Sequence, residues 1–138
     1  MATLLKIIGL VGQPLELTLE DFRRVAPAYQ VEDMSLIDAR RLGRAVELDA
    51  LLAQAQLSAA ATRLKLIGSA DGYESVIPLG PVRGRGLIIY EVAGTPLSSQ
   101  DGGPTRFYIR DYSECHVTEL DGCANVKYLD TIEVLSDA

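Results

Sequence analysis

Runs of apolar residues bounded by turn residues divide most of this chain into short segments. In some segments apolar and polar residues alternate with period two, and in others the apolar run is unbroken; both patterns are typical of β-strands. Two such segments flank Ala70-Asp-Gly72, which indicates a hairpin. The strands predicted from the pattern are 5–11, 15–17, 34–37, 64–67, 75–79, 87–92, 106–110 and 126–135.

Two short helices interrupt the strands in the first half of the chain. Thr18 precedes Leu19-Glu-Asp21 in the manner of a helix N-cap, and Pro27 ends this first helix early. The second helix begins at Leu48, where apolar residues recur at helical spacing. Because the helices come early and the strands cluster late, the pattern predicts an α+β fold with mixed or antiparallel sheets rather than a doubly wound parallel sheet.

Length and composition predict a single domain over residues 1–138. The 138 residues match the usual size of one domain, and a hydrophobic fraction of 48% supplies a core that excludes intrinsic disorder. Thirteen Lys and Arg against nineteen Asp and Glu give a formal charge of -6. This negative balance argues against a nucleic-acid-binding protein, because affinity for phosphate backbones comes from clustered cations.

No apolar run approaches the roughly 20 residues that cross a bilayer. The apolar stretch at residues 2–12 is too short, contains Lys6 and lacks a signal-peptidase pattern. We therefore expect no membrane association and a cytoplasmic location. The two cysteines lie late in the chain and do not form a disulfide framework.

A series of short motifs follows in a fixed order along the chain. The motifs are Ile8-Gly-Leu-Val-Gly12 with Leu17-Thr-Leu-Glu-Asp21, Asp71-Gly-Tyr73 with Ile77-Pro78, Tyr90-Glu91 with Gly94-Thr-Pro-Leu97, Gly102-Gly-Pro-Thr-Arg106, and Asn125-Val-Lys127. In this order they resemble the molybdopterin-binding domain of the sulfite oxidase family. The resemblance covers about residues 5–135 and implies a compact mixed α+β domain built largely from β-sheets.

One departure from the family pattern concerns the metal. Members of the family hold molybdenum through the dithiolene of a pterin and through one cysteine thiolate that lies between the first and second helices. Here that interval, residues 27–48, contains no cysteine, and neither Ser35 nor Asp38 replaces a soft anionic sulfur. The sequence therefore argues against sulfite oxidation, and we expect no cofactor in the purified protein. Molybdopterin is the organic cofactor that the resemblance suggests.

The contacts that family members make with the pterin fall on three places in this chain. The resemblance assigns Arg106 to the phosphate end of the pterin, which suits a guanidinium fork. It assigns Lys127, with the backbone of Asn125 and Val126, to the segment that closes over the cofactor. Asp101 stands where sulfite oxidases usually carry a histidine, and its negative charge would repel a phosphate. Without the resemblance, residue type alone predicts that lone cations on strands, such as Arg106 and Lys127, are solvated side chains.

Tyr73 keeps the family's spacing between its active-site tyrosine and Ile77-Pro78. The resemblance thus makes Tyr73 the catalytic candidate if the protein is an enzyme. The residues themselves favour another interpretation, an aromatic side chain packing across the strands of a hairpin.

Cys115, His116 and Cys123 form a second candidate site between the last predicted strands. They offer three soft metal ligands, and a zinc ion would need a fourth from Glu114, Asp121, water or a partner chain. The loop would also allow a disulfide, or the cysteines act as small buried apolar residues, as is usual in a reducing cytosol.

Three functions are compatible with these residues. The leading hypothesis is a small molybdopterin-binding-domain-like protein without molybdenum, which acts as a ligand-binding or accessory module for a small anion or a pterin phosphate. One alternative is a molybdenum-dependent oxidoreductase in which Cys115 or Cys123 ligates the metal. Another is a structural domain with a vestigial pocket that pairs with a second copy or with a partner subunit.

Overall fold

Two β-sheets and two short α-helices account for most of the structure, a computed structural model that describes residues 2–39, 41–70, 72–110 and 125–136. The strands are β1 Leu5–Gly9, β2 Leu15–Leu17, β3 Gln30–Val31, β4 Arg44–Glu47, β5 Arg63–Gly68, β6 Tyr73–Pro78, β7 Gly86–Val92, β8 Thr95–Pro96, β9 Thr105–Ile109, β10 Asn125–Leu129 and β11 Thr131–Leu135. The helices are α1 Leu19–Arg23 and α2 Leu48–Gln54, and single 3₁₀ turns lie at Pro27–Tyr29, Met34–Leu36, Gly80–Val82 and Ser99–Asp101.

The five-stranded sheet has the order β2-β1-β11-β5-β6, and the other sheet has the order β10-β9-β7-β4-β3 with β8 paired to β7. Strands β1 and β11 run parallel, and the remaining pairs are antiparallel. The α+β class with mixed sheets that the pattern predicts is therefore confirmed, as is the hairpin of β5 and β6.

The main core contains side chains of both sheets and of both helices. Strand β5 alternates as its sequence predicts, with Leu64 and Leu66 buried in this core. Strand β7 is buried on both faces because its apolar run is unbroken. Its side chains Ile88 and Tyr90 join the main core, whereas Ile89 joins a second, smaller cluster.

The second cluster covers the outer face of the sheet that contains β7. The segment of residues 32–39 and 41–43, named here the covering loop, packs Met34 and Ile37 against Ala45, Ile89 and Tyr108 of the sheet. This outer face is where the candidate anion site lies.

Two predicted strands differ in the structure. Residues 34–37 were expected as a strand, but Met34–Leu36 is a 3₁₀ turn, because the Asp33 side chain accepts a hydrogen bond from the Ser35 N–H at 2.9 Å and caps it. The predicted last strand, 126–135, is two strands in different sheets. The chain crosses from one sheet to the other at Asp130, after Tyr128 adopts a φ of 59° that an extended strand does not permit.

Candidate functional site

Arg106 lies on the outer face of β9. Its neighbours Phe107 and Ile109 point into the main core, and Tyr108 joins the second cluster, so the alternation of the strand directs Arg106 to the outer face with Tyr108. In the sheet register Arg106 pairs with Ile89 of β7. The arginine therefore emerges from an apolar surface rather than from a solvated edge.

The turn before β9 explains the Gly-Gly-Pro motif. Gly102 has a φ of 88°, and a Cβ on it would approach the Arg106 Cδ to 3.0 Å. A Cβ on Gly103 would collide with the carbonyl oxygen of Leu97, so only glycine lets these two segments meet. The motif thus packs the 98–104 turn directly beside the aliphatic part of Arg106.

A cavity of about 160 Å³ opens at Arg106. Its wall includes Arg41 and Leu42 from the covering loop, Leu97, and Asp101 from the turn before β9. A volume this small lies below the roughly 300–1,000 Å³ of pockets that enclose whole small molecules. The cavity is therefore suited to one charged group of a ligand.

The guanidinium of Arg106 is poorly compensated. Its Nε atom is buried without a hydrogen-bond partner, and Nη1 donates only to the Asp101 backbone carbonyl, at 3.4 Å. Among the described residues no carboxylate forms a salt bridge with it. Arg44, whose Nε is similarly buried, differs because its Nη2 bonds Glu32 at 3.1 Å.

Burial lowers the pKa of Arg106 below its ordinary value, and the nearby positive charge of Arg41 lowers it further, whereas Tyr128 and Asp101 act in the opposite direction. Because arginine stays protonated in proteins, the lowered pKa means that the positive charge of Arg106 is destabilised by its surroundings, not that it is lost. An anion bound between Arg41 and Arg106 would relieve both effects.

Asp101 lies in the cavity wall but presents its backbone to Arg106. Its carboxylate accepts a hydrogen bond from the Ser98 hydroxyl at 3.2 Å, and its N–H donates to the same hydroxyl oxygen at 3.3 Å. The Asp101 carboxylate thus supports Ser98, the residue that caps the 3₁₀ turn at Ser99–Asp101.

The segment of Asn125, Val126 and Lys127 lies on β10, next to β9. Val126 pairs with Phe107 and is buried in the main core, whereas Lys127 is exposed. A shift in register places Lys127 and Tyr128 together opposite Arg106. Arg106 and Lys127 are therefore on adjacent strands, but the second cation at the described cavity wall is Arg41.

Tyr73 begins β6 in the other sheet and packs, half-buried, against the main core. The structure thus places it in a different sheet from Arg106. Its packing matches the interpretation of a hairpin aromatic.

Cys115, His116 and Cys123 lie outside the described residues. Within the described ranges, no three side chains of His, Cys, Asp or Glu come together in a way that would hold a metal ion.

Arg41 is the site residue that the sequence pattern did not single out. The sequence feature that could have indicated it is a group of arginines at positions 40, 41 and 44, in a stretch without hydrophobic periodicity. Periodicity places side chains on helices and strands, and Arg41 follows the 3₁₀ turn in a loop, so only the tertiary structure brings it to Arg106.

Comparison with known families decides what kind of domain this is. Residues 43–138 match the family model of the oxidoreductase molybdopterin-binding domain. The chain belongs to this family. The matched range includes Arg106 and Lys127 but begins after Arg41. The resemblance drawn from the ordered motifs is confirmed.

One solved structure similar to this molybdopterin-binding domain is the sulfane dehydrogenase SoxCD from Paracoccus pantotrophus, with a TM-score of 0.68 and 20% sequence identity. The likeness covers 99% of this chain and 38% of that chain, and at this identity it concerns the fold. No curated protein sequence matches the chain. In the described part of the domain, none of the helices has the length and apolar character needed to cross a membrane.

Proposed function

We propose that this molybdopterin-binding domain binds the phosphate end of an organic anion between Arg106 and Arg41, and that it acts as a ligand-binding or accessory module without molybdenum. The observation that supports the proposal is the buried, unpartnered Nε of Arg106 in a cavity shared with a second arginine. The Arg106 guanidinium, which forms no salt bridge with a carboxylate of the described residues, and the neighbouring Arg41 together fit a phosphate, which carries several acceptor oxygens.

The complete cofactor that the family implies is molybdopterin with its metal. Molybdopterin, when bound, supplies a dithiolene for the metal and a phosphate at its other end. The described residues fit the phosphate end, because the cavity is small and cationic. They do not fit the metal end, because the sequence has cysteines only at positions 115 and 123 and none in the interval 27–48.

Phosphate-dependent stability tests the anion site. A ligand that binds only the folded state stabilises it by about 2.7 kcal/mol at 100 times its Kd, which raises Tm by several degrees for a domain of this size. We expect inorganic phosphate to raise the Tm of the wild type and Arg106→Ala to abolish the increment. The measurement is thermal unfolding in phosphate against chloride of equal ionic strength.

Arg24→Ala is the matched control, because it removes the same charge from a side chain that is 77% exposed. It should keep the full increment. An equal phosphate effect in Arg106→Ala would contradict the site, and no effect in the wild type would favour the vestigial pocket.

A further inference from the structure

The covering loop is attached to the sheet at both ends. The Met34 N–H donates to the Gly43 carbonyl oxygen at 2.8 Å, which closes the base of the loop. Met34 is fully buried in the second cluster, and Gly43 lies so close to the Glu91 carbonyl that a side chain would not fit. The ends of the loop are thus fixed by packing and backbone hydrogen bonds.

Packing contributes much less to the outer half of the loop. Leu36 is 84% exposed and Leu42 is 66% exposed. Exposed leucines bury little apolar area and therefore do little to determine the position of the backbone that carries them. The hydrogen bonds of the loop therefore contribute more than these two leucines to where Arg41 lies relative to Arg106.

Asp38 provides such a contact. The Tyr108 hydroxyl donates to Asp38 Oδ2 at 3.1 Å, and the Asp38 carbonyl oxygen accepts a hydrogen bond from the Arg41 N–H at 2.9 Å. Tyr108 is only 9% exposed, and it lies two residues after Arg106 on the same face of β9. A continuous path of hydrogen bonds and covalent bonds therefore runs from the strand of Arg106 through Tyr108 and Asp38 to Arg41.

We propose that Tyr108 and Asp38 are positioning residues for the anion site, and that the hydrogen bond between them holds the covering loop so that Arg41 lies beside Arg106. This inference rests on the proposed function. Neither residue needs to contact the anion. Their effect on the anion passes through Arg41.

Removal of the Tyr108 hydroxyl tests this role. Tyr108→Phe keeps the buried ring and deletes the donor, so the loop loses its hydrogen bond to β9. We expect the Kd for inorganic phosphate, obtained from Tm against phosphate concentration, to rise about three- to tenfold. Asp38→Ala removes the acceptor and should give the same direction of change.

Tyr90→Phe is the matched control. The Tyr90 hydroxyl donates to Gln30 Oε1 at 2.8 Å, so this variant also loses a buried hydroxyl and its hydrogen bond to a side-chain oxygen. Tyr90 lies in the main core, on the opposite side of the same sheet. It should lower the stability of the protein and leave the Kd for phosphate unchanged.

A double-mutant comparison separates positioning from general destabilisation. In an Arg41→Ala background, Tyr108→Phe should cause no further rise in the Kd, because the residue through which it acts is gone. Two results would overturn the positioning role while leaving the anion site intact. One is a wild-type Kd for phosphate in both Tyr108→Phe and Asp38→Ala. The other is a Tyr108→Phe effect on the Kd that is just as large when Arg41 is already replaced by alanine. Absence of any phosphate effect in the wild type would overturn the proposed function and this role together.

Discussion

At the scale of single residues, the burial of a cation and its hydrogen-bond partners indicate an anion-binding role better than its charge does. Lys127 and Arg106 look alike in the sequence because each is a lone cation on a strand. In the structure Lys127 is exposed, whereas Arg106 has a buried Nε without a partner. Buried polar groups are normally hydrogen-bonded, so an unpartnered Nε makes Arg106 a better candidate than Lys127.

Tyr90 shows the opposite case, a buried polar group that is fully accommodated. Its ring stacks on Phe22 with centroids 4.9 Å apart, and its hydroxyl bonds Gln30. The Gln30 side chain in turn donates to the carbonyl oxygens of Phe22 and Val25. This network ties α1 and the following turn to β7, and its satisfied hydrogen bonds favour a structural role.

Burial raises the pKa of Tyr90 above its ordinary value of 10.0, which gives a prediction for alkaline pH. Between that value and the higher pKa of the folded state, the unfolded chain loses this proton while the folded chain keeps it. The free energy of unfolding therefore falls as pH rises through this range. We expect Tyr90→Phe, which cannot ionise, to lose stability less steeply than the wild type.

Urea unfolding at a series of pH values from about 9 to 11 measures this difference. Tyr29→Phe serves as the control, because Tyr29 is 46% exposed and its removal should leave the wild-type slope unchanged. Equal slopes for Tyr90→Phe and the wild type would show that burial of Tyr90 does not contribute to alkaline unfolding.

Among the secondary-structure elements, α1 is short, so its stability depends on the capping of its ends. It spans five residues, too few to be stable without capping and packing. Thr18 Oγ1 accepts from the Asp21 N–H at 3.3 Å, and Asp21 Oδ2 accepts from the Thr18 N–H at 2.9 Å. The N-cap predicted from the sequence is thus confirmed as a reciprocal capping box.

Thr18→Ala should lower the free energy of unfolding by about 1 kcal/mol, because it leaves a helix N–H without its acceptor. Chemical denaturation measures the change. Thr62→Ala, at an exposed threonine before β5, should stay within about 0.5 kcal/mol of the wild type. A Thr18→Ala variant as stable as the Thr62→Ala variant would show that the capping box does not support the fold.

In the whole molecule, the site has a charge opposite to that of the chain. The formal charge is -6, yet Arg41 and Arg106 share one small cavity. A net negative charge repels anions at long range, so the proposed phosphate binding would have to come from short-range hydrogen bonds in the cavity. High phosphate affinity therefore requires that both guanidinium groups be held in place.

The sequence also predicts the metal content of the whole protein. After co-expression with the enzymes that make molybdopterin, we expect far less than one molybdenum per chain, because no thiolate lies in residues 27–48. Elemental analysis measures it. Near-stoichiometric molybdenum would contradict the expectation, and Cys115→Ser and Cys123→Ser would then show which sulfur binds the metal.

The sequence by itself determined the elements whose pattern is local. The capping box at Thr18, the hairpin of β5 and β6, and the doubly buried strand β7 follow from spacing and residue type, and the ordered motifs led to the family. Each of these signals depends on neighbours along the chain or on a periodic face. For this reason the α+β class with mixed sheets could be predicted.

Tertiary structure decided which strands pair and which cations meet. The apolar pattern of residues 126–135 is continuous, so only the crossing at Asp130 shows that β10 and β11 belong to different sheets. The covering loop has no period, and its position depends on contacts with strands far away in sequence, such as the hydrogen bond from Tyr108 to Asp38. The pairing of Arg41 with Arg106 arises from such long-range contacts, which periodicity does not encode.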